Sequence, residues 1–377
     1  MNYTNTFYNA YSDYKDPSIR GRYIHLEHIE PLLESYKNLS QIKILGASVE
    51  KRPIYSITLG SGPQRILMWS QMHGNESTTT KAVFDVLKFI KDNEEFRNYV
   101  LNKFTLCILP MVNPDGALAY TRVNSKTVDL NRDAQERSQP ESVILRDVFD
   151  SFQPHFCFNL HDQRTIFSAG KTDLPATVSF LTPAEDKLRS ITEQRKRSME
   201  IIGVMNEFLQ KHIPGQVGRY DDGYNINCVG DTFQSSQIPT ILFESGHFPN
   251  DYQREQTRKF IACSLVCAIN YIGEHSITGT SYKSYFEIPE NDKLFYDVLL
   301  RNFPIVEDSE VDRWDIAILF KETLLDGKLE FIPTVERIEK NLRFYGHKEF
   351  DMNKLDSPAI EKYKINEAFL TKLLRKI

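Results

Sequence analysis

The sequence predicts an α/β fold in which a mixed, mostly parallel sheet is sandwiched between helices. Near-continuous apolar runs, which are typical of buried parallel strands, alternate with longer segments whose apolar residues recur at helical spacing. The chain of 377 residues can bury one large core and still leave room for an appendage. We therefore expect an irregular N-terminal arm at residues 1–24, a main domain at 25–275 and a small α+β appendage at 281–377.

The first elements of the main domain are one helix followed by three strands. They are predicted at residues 25–36, 42–45, 54–59 and 66–72. The sequence Gly-Ser-Gly-Pro at 60–63 predicts a hairpin turn between the last two strands. The third strand ends in Met72-His73-Gly74-Asn75-Glu76, and apolar residues at helical spacing follow, so that a helix begins near Ser77.

Strands and helices then alternate to the end of the main domain. The strands are predicted at 104–112, 156–162 and 239–246, and the helices at 141–152, 183–212 and 252–272. The first of these strands leads into Asn113-Pro-Asp-Gly, which is a strong turn signal, the second ends at His161, and the third carries Glu244. In α/β proteins ligands gather at the carboxyl ends of the strands, so these residues are candidates for one site.

Composition excludes several classes of function. The formal net charge of −5 and the pI of about 6.0 give no reason to expect nucleic acid or an anionic membrane surface as a partner. The five cysteines are odd in number and several lie in apolar runs, which predicts buried thiols in a reducing compartment. The N-terminus lacks a basic-then-apolar signal pattern and nothing like an inhibitory prosegment precedes the main domain, so we expect a cytoplasmic protein that is made active.

The turn that holds His73 and Glu76 is the first candidate site. A histidine and a carboxylate three residues apart at a strand-to-helix turn can converge on one point, and they suit zinc, whose usual catalytic set is three protein ligands plus water. The alternative is a helix-capping turn whose histidine only forms hydrogen bonds. Packing alone accounts poorly for a set that also includes His161 and Glu244, because burying a carboxylate costs on the order of several kcal/mol unless it is paired or used.

Five segments together resemble the zinc metallocarboxypeptidases of the carboxypeptidase A type. These segments are His73-Gly-Asn-Glu76, Asn113-Pro-Asp-Gly, Asp129-Leu-Asn-Arg, His161 and Phe243-Glu244. They follow the order of that family, and the resemblance covers roughly residues 20–273. It implies the zinc carboxypeptidase fold and one Zn²⁺ per chain.

The resemblance also implies roles for the residues around the zinc. His73, Glu76 and His161 would hold the ion, and Asp129 would fix the imidazole of His73. Glu244 would be the general base that takes a proton from the zinc-bound water and passes it to the leaving amine.

Substrate contacts follow from the same resemblance. Asn131 and Arg132 would clamp the terminal carboxylate of the substrate, a task suited to the geometry of a guanidinium group. Arg122 resembles the arginine that polarises the scissile carbonyl, although an ordinary loop arginine is the alternative. The tyrosine that covers the substrate in this family would be Tyr220 or Tyr224.

Two features leave the substrate open. His161 is followed by Asp162-Gln-Arg, where many members of the family carry a serine and an aromatic residue. The position that selects the released side chain should lie near Val229-Gly230, and neither residue is charged. The sequence therefore does not indicate an acidic or a basic terminal residue.

The resulting hypothesis is a zinc carboxypeptidase that acts on a peptide, or a peptide-like substrate, with a free C-terminal carboxylate. One alternative is an N-acyl amino acid deacylase of the aspartoacylase and succinylglutamate desuccinylase type. Another is a catalytically inactive peptide-binding protein on the same scaffold. We expect no nucleic acid and no membrane as partner.

Overall fold

A computed structural model describes residues 2–307 and 310–354, and its centre is an eight-stranded mixed sheet. The strand order is β1-β2-β4-β3-β5-β9-β7-β8. The strands are β1 Gln41–Ala47, β2 Pro53–Leu59, β3 Gln64–Ser70, β4 Phe104–Leu109, β5 Phe156–Asp162, β7 Val178–Leu181, β8 Val217–Arg219 and β9 Thr240–Ser245, while β6 Phe167–Ala169 lies outside this sheet. Strands β4, β3, β5 and β9 run parallel to one another, which confirms the predicted mixed, mostly parallel sheet.

Helices cover both faces of the sheet. They are α1 Tyr3–Asn9, α2 Tyr11–Tyr14, α3 Leu26–Ser35, α4 Thr78–Asp92, α5 Glu94–Lys103, α6 Pro114–Ala119, α7 Pro140–Phe152, α8 Glu193–Gln210, α9 Val229–Ser235 and α10 Glu255–Glu274. Among the described residues, none of these helices combines the length and the apolar character that a membrane span requires.

The central strands separate two hydrophobic cores. In β3, Ile66 and Met68 point into the core beneath α4, α8 and α10, whereas Leu67 and Trp69 point into the core beneath α7 and α9. This alternation follows from the two-residue repeat of a strand. Because both faces are covered, the strand reads in the sequence as one apolar run.

The N-terminal arm is a correction to the prediction. Residues 3–9 and 11–14 are helical rather than irregular, and Tyr3, Phe7 and Tyr11 are buried. These three aromatic residues are spaced by four, which places them on one helical face. The Tyr11 hydroxyl also donates to the buried carboxylate of Asp85 in α4 over 2.7 Å, so the arm is part of the main core.

Two local predictions were also wrong. Residues 60–63 do not form a hairpin turn, because β4 lies between β2 and β3 and pairs with both. The long helix predicted from residue 183 starts only at Glu193, where the side chain of Thr192 caps it by accepting from the Arg195 N–H. The turn signal at 60–63 was overridden by strand pairing, and the helix start was set by the Thr192 cap. The prediction considered neither effect.

A second, four-stranded sheet forms most of what the structure describes beyond residue 281. Its order is β13-β12-β11-β14. The strands are β11 Phe295–Glu307, β12 Glu310–Leu325, β13 Lys328–Glu339 and β14 Tyr345–Asp351, and a shorter strand, β10 Asn291–Lys293, pairs with β6. The helical part of the predicted α+β appendage is represented among the described residues only by the 3-10 helix Tyr282–Glu287, and residues 355–377 lie outside the description.

We call these four strands the C-terminal sheet, and it lies directly against the main domain. Arg22 of the N-terminal segment forms a two-pronged ion pair with Glu322 of β12, at 3.0 and 3.1 Å. His347 of β14 contacts the carbonyl oxygen of Thr165 over 2.7 Å. The predicted division of the chain near residue 275 stays a prediction, since these contacts cross it.

Candidate metal centre and active site

Three adjacent parallel strands deliver the principal side chains to one edge of the sheet. Strand β3 ends beside β5, with Ser70 opposite Leu160, and the His73 turn follows directly. On the other side of β5, His161 stands opposite Glu244 in register. Neighbouring strands lie about 4.8 Å apart, so the register alone places the side chains of His161 and Glu244 next to each other.

His73, Glu76 and His161 form a buried cluster whose donor atoms all lie within 4.8 Å of one another. Glu76 Oε1 is 2.8 Å from His73 Nδ1, and Glu76 Oε2 is 2.8 Å from His161 Nδ1. The two Nδ1 atoms are 3.1 Å apart. The predicted ligand triad therefore converges on one point, each residue offering one nitrogen or carboxylate oxygen.

The chemistry of this donor set fits a divalent cation. His73 Nε2 is 3.1 Å from the carboxylate of Asp129, so the ring proton belongs on Nε2 and the Nδ1 lone pair faces the cluster. The cluster then brings lone pairs and a carboxylate together, which a shared cation stabilises. Burial alone would raise the pKa of Glu76, but the two histidines hold that pKa well below its usual value. Two imidazoles and a carboxylate are typical zinc ligands.

Asn113-Pro-Asp-Gly supports the ligand turn from behind. It does not form an isolated turn, because Asn113 caps helix α6 by accepting from the Gly116 N–H over 2.8 Å. The amide of Asn113 also donates to the carbonyl of Met72 over 3.2 Å. A Cβ atom on Gly74 would lie 1.9 Å from the backbone carbon of Gly116, so only glycine permits this approach. The motif fixes the turn that carries His73 and Glu76.

Glu244 is placed as a proton acceptor beside the cluster. Its Oε2 is buried and has no hydrogen-bond partner among the described residues. Burial, together with the negative charges of Glu76 and Asp162, raises the pKa of Glu244 well above its usual value. A cation held by the neighbouring ligands would oppose this shift and favour the carboxylate.

Arg122 and Asp129 form a bridge along the cluster. The Arg122 Nε donates to Asp129 Oδ2 over 3.0 Å, and its Nη1 lies 3.3 Å from Glu76 Oε1. Asp129 contacts His73 with its other oxygen. Burial alone would raise the pKa of Asp129, but its contacts with His73 and Arg122 bring that pKa below the usual range. The side chain of Arg122 is 47% exposed, so its remaining N–H groups can reach a ligand.

Asn131 and Arg132 lie on the far side of the cluster. Asn131 Oδ1 accepts from the Val229 N–H over 3.0 Å, which fixes this loop to α9. The Arg132 Nη1 donates to the Asn131 carbonyl and to Cys228 Sγ, at 2.8 and 3.1 Å. Among residues 2–307 and 310–354, no carboxylate oxygen lies within 4 Å of the exposed guanidinium of Arg132. It is available to bind an anion.

These side chains share a cavity of about 390 Å³, which we call the cluster cavity. The predicted residues in its wall are His73, Glu76, Arg122, Asn131, Arg132, His161, Tyr220 and Glu244. Tyr220 packs edge-on against Phe167, with ring centroids 5.3 Å apart. Tyr224 lies in the following loop and does not contribute to this wall, so of the two tyrosines Tyr220 is the one placed to contact a ligand.

Sequence reasoning assigned no role to several residues that line the cavity wall. Asp231, which directly follows the predicted selectivity position Val229-Gly230, lines the cluster cavity, and burial raises its pKa to about 6. Asp162 accepts from the Thr78 N–H over 3.1 Å and so caps the first turn of α4. Arg164 is exposed and lines both the cluster cavity and a second groove. The carboxylates at 162 and 231 each follow a predicted site residue, which is the signal that could have found them.

Comparison with known proteins gives matches of limited length. The zinc carboxypeptidase family profile matches residues 25–169. A probable carboxypeptidase 2 of Arthroderma benhamiae is 27% identical over 110 residues, which are 29% of this chain and 20% of that protein. The gamma-D-glutamyl-L-diamino acid endopeptidase 1 of Lysinibacillus sphaericus is 26% identical over 186 residues, which are 45% of this chain and 46% of that protein. The matched region thus spans a fifth to a half of these relatives.

The fold is also found among solved structures. A metallo-carboxypeptidase of Burkholderia cenocepacia superposes with a TM-score of 0.53 at 20% identity, over 65% of this chain and 68% of that chain. At this identity the likeness establishes the fold. The profile match and this shared fold confirm the predicted resemblance to the zinc carboxypeptidases.

Proposed function

We propose that this protein is a zinc carboxypeptidase that removes the C-terminal residue from a peptide or peptide-like substrate. The observation that carries the proposal is the content of the cluster cavity. It combines a buried His-Glu-His triad with a carboxylate oxygen of Glu244 and a guanidinium of Arg132 that, among the described residues, have no hydrogen-bond partner and no anionic partner respectively. The named relatives supply the family context, but since they are matched over only part of their length, activity and substrate are inferred for this chain from its own site.

The metal would be held by His73, Glu76 and His161. When bound, Zn²⁺ supplies a Lewis acid that polarises a carbonyl oxygen and lowers the pKa of water toward neutrality. Asp129 keeps the proton of His73 on Nε2, which leaves Nδ1 free to act as a ligand. This part of the proposal rests on the convergence of three donor atoms.

The other wall residues would bind and orient the substrate. Arg132 and Asn131 bind the terminal carboxylate, because the guanidinium has no anionic partner of its own among the described residues. Arg122 donates hydrogen bonds to the scissile carbonyl oxygen as negative charge develops there. Glu244 accepts a proton from the attacking water and returns it to the amine that leaves.

The deacylase alternative uses the same reaction on a smaller substrate. An N-acyl amino acid also carries a terminal carboxylate, so Arg132 does not distinguish the two. The groove beyond Glu76 favours a peptide, because it provides space for residues on the acyl side of the bond.

Purified protein tests the proposal directly. Mass spectrometry of a peptide library should show loss of one residue from the C-terminus, whereas Glu244→Gln should keep its metal and its fold and lose about 10²–10⁴-fold in rate. A matched control is Glu336→Gln, which changes an exposed carboxylate on β13 and should leave the rate unchanged. Near-normal turnover by Glu244→Gln would contradict the assignment of the base.

A further inference from the structure

A second groove of about 370 Å³ opens on the other side of the ligand triad from Arg132. Glu76, Arg122, Asp162 and Arg164 line both this groove and the cluster cavity, so the two spaces adjoin each other at these residues. If a terminal carboxylate binds at Arg132 and the scissile bond lies at the triad, then the acyl part of the substrate points into this groove. We call it the acyl groove.

The outer wall of the acyl groove comes from the C-terminal sheet. Phe320, Lys321 and Glu322 of β12 and Phe331 of β13 line it. Buried contacts hold this wall in place. Arg22 forms an ion pair with Glu322, and the Tyr120 hydroxyl donates a hydrogen bond to the same Glu322 carboxylate.

The carboxylates of the acyl groove are already engaged. Each of the four accepts at least one hydrogen bond from a neighbouring donor. Glu76 accepts from the Asp162 N–H, and Asp162 accepts from the Thr78 N–H. Asp297 accepts from the Tyr252 hydroxyl and from the Phe320 N–H, at 3.0 and 2.7 Å, and Glu322 is paired with Arg22. These acidic groups therefore offer little to a ligand.

Two cations of the groove have no such partner. Arg164 and Lys321 are both exposed, and among the described residues neither side chain forms an ion pair or a hydrogen bond. Arg22 and Arg254 in the wall are buried and bonded to protein groups, and the half-exposed Arg122 is engaged by Asp129 and Glu76. The available charge of the acyl groove is therefore positive.

Strand β12 also has, at this wall, a backbone edge that no other strand of the described residues pairs with. Its pairing with β11 ends at Ile318, whereas its pairing with β13 continues to Leu325. The Phe320 N–H points to the open side, where the carboxylate of Asp297 accepts it. Because the N–H and C=O of one residue point to the same side of a strand, the Phe320 carbonyl and the Glu322 backbone groups face that side as well. Such an edge can pair with an extended chain.

We propose that the acyl groove binds the residues before the scissile bond of an acidic peptide, in extended form, through the β12 edge and the charges of Arg164 and Lys321. This inference rests on the proposed carboxypeptidase function and adds a substrate class to it. The C-terminal sheet is then a selectivity element, and Lys321 is a residue that determines specificity without taking part in the chemistry.

Matched peptides test the inference. Two substrates share the residue that is released best and differ only in carrying three glutamates or three glutamines before it. The glutamate peptide should be cut with the higher kcat/KM at low salt, and the preference should shrink in 0.5 M NaCl, where exposed charges are screened. Lys321→Gln should reduce kcat/KM for the glutamate peptide about three- to fivefold, which is the scale of one exposed ion pair, and leave the glutamine peptide unchanged.

The control is Lys328→Gln, which removes an exposed lysine from the same sheet away from the groove and should change neither substrate. Binding of both peptides to the Glu244→Gln protein, measured by fluorescence anisotropy, reports on the groove without turnover. If the wild type cuts neither peptide while the glutamate peptide still binds more tightly and depends on Lys321, the proposed function fails and the groove assignment stands. Equal binding of the two peptides, or an equal loss with Lys328→Gln, would overturn the inference.

Discussion

The triad end of the central sheet lines the cluster cavity and the C-terminal sheet lines the adjoining acyl groove, and the two regions are positioned by different means. At the triad, parallel strands in fixed register place His161 and Glu244 side by side, and a short turn adds His73 and Glu76. The C-terminal sheet is held beside the triad by contacts between distant segments, among them the pair of Glu322 with a residue 300 positions earlier. The proposed chemistry therefore depends on register within one sheet, and the proposed substrate selection depends on contacts between two sheets.

The largest effect is expected from a substitution that removes one ligand of the triad and leaves the C-terminal sheet unchanged. His161→Ala removes one of three ligands, so metal analysis should show loss of most of the zinc, and activity should fall with it. His155→Ala changes a histidine just before the same strand and should keep full zinc occupancy. Full occupancy in His161→Ala would show that the ligand set is misassigned.

The next largest effect is expected from breaking the ion pair that holds the C-terminal sheet against the main domain. Glu322→Gln leaves the buried guanidinium of Arg22 without its charge partner, which typically costs about 3–5 kcal/mol. The two tryptophans allow each sheet to be followed separately, because Trp69 lies in β3 and Trp314 in β12. In a Trp69→Phe background, urea unfolding reported by Trp314 should shift strongly in Glu322→Gln, whereas zinc content should not.

The control for that experiment is Glu336→Gln, an exposed carboxylate on β13. Its urea midpoint should match that of the parent protein. If Glu322→Gln also leaves the Trp314 transition unchanged, the ion pair does not hold the two sheets together.

A smaller, pH-dependent effect on stability is expected from His347, which lies at another contact between the C-terminal sheet and the main domain. His347 of β14 stacks on Phe295 and lies at a tilt against His247, and burial lowers its pKa to about 4 from about 6.5. Between these pH values the unfolded chain binds more protons than the folded protein, so the free energy of unfolding falls as the pH is lowered. From pH 7.5 to 4.5, the wild type should lose about 2 kcal/mol more than His347→Gln.

Chemical denaturation at the two pH values measures this difference. His275→Gln, which replaces an exposed histidine at the end of α10, should behave as the wild type does. The same pH dependence in wild type and His347→Gln would show that the imidazole of His347 does not titrate with unfolding.

The sequence was sufficient to predict the triad end of the molecule because its signals are local. His73 and Glu76 share one turn, and apolar runs before His161 and Glu244 mark their strands, so a few positions determine the geometry. The hairpin at 60–63 was predicted wrongly since the insertion of β4 between β2 and β3 is a property of topology and leaves no local trace. The helical arm was missed although Tyr3, Phe7 and Tyr11 carried a readable spacing.

The acyl groove could not be predicted in the same way. Phe320, Lys321 and Glu322 are three ordinary residues of a strand, and no motif surrounds them. Their place beside Glu76 and Arg122 arises from contacts between segments hundreds of residues apart, which pattern and propensity do not encode. Tyr220 is an intermediate case. Spacing in the sequence limited the choice to Tyr220 and Tyr224, and only the structure shows that Tyr220 is the one that lines the cavity.

The central claim is that Arg132 anchors a free terminal carboxylate opposite the acyl groove, and matched substrates test it most directly. A carboxylate on a guanidinium forms charge-assisted hydrogen bonds, and a site built for such a group rejects an analogue that lacks it by up to about 10⁴-fold. Peptides with a free C-terminus should therefore be cut far faster than the same peptides with a C-terminal amide, and Arg132→Ala should abolish most of that difference. Equal cleavage of the two forms by the wild type would contradict the account, even with the zinc site intact.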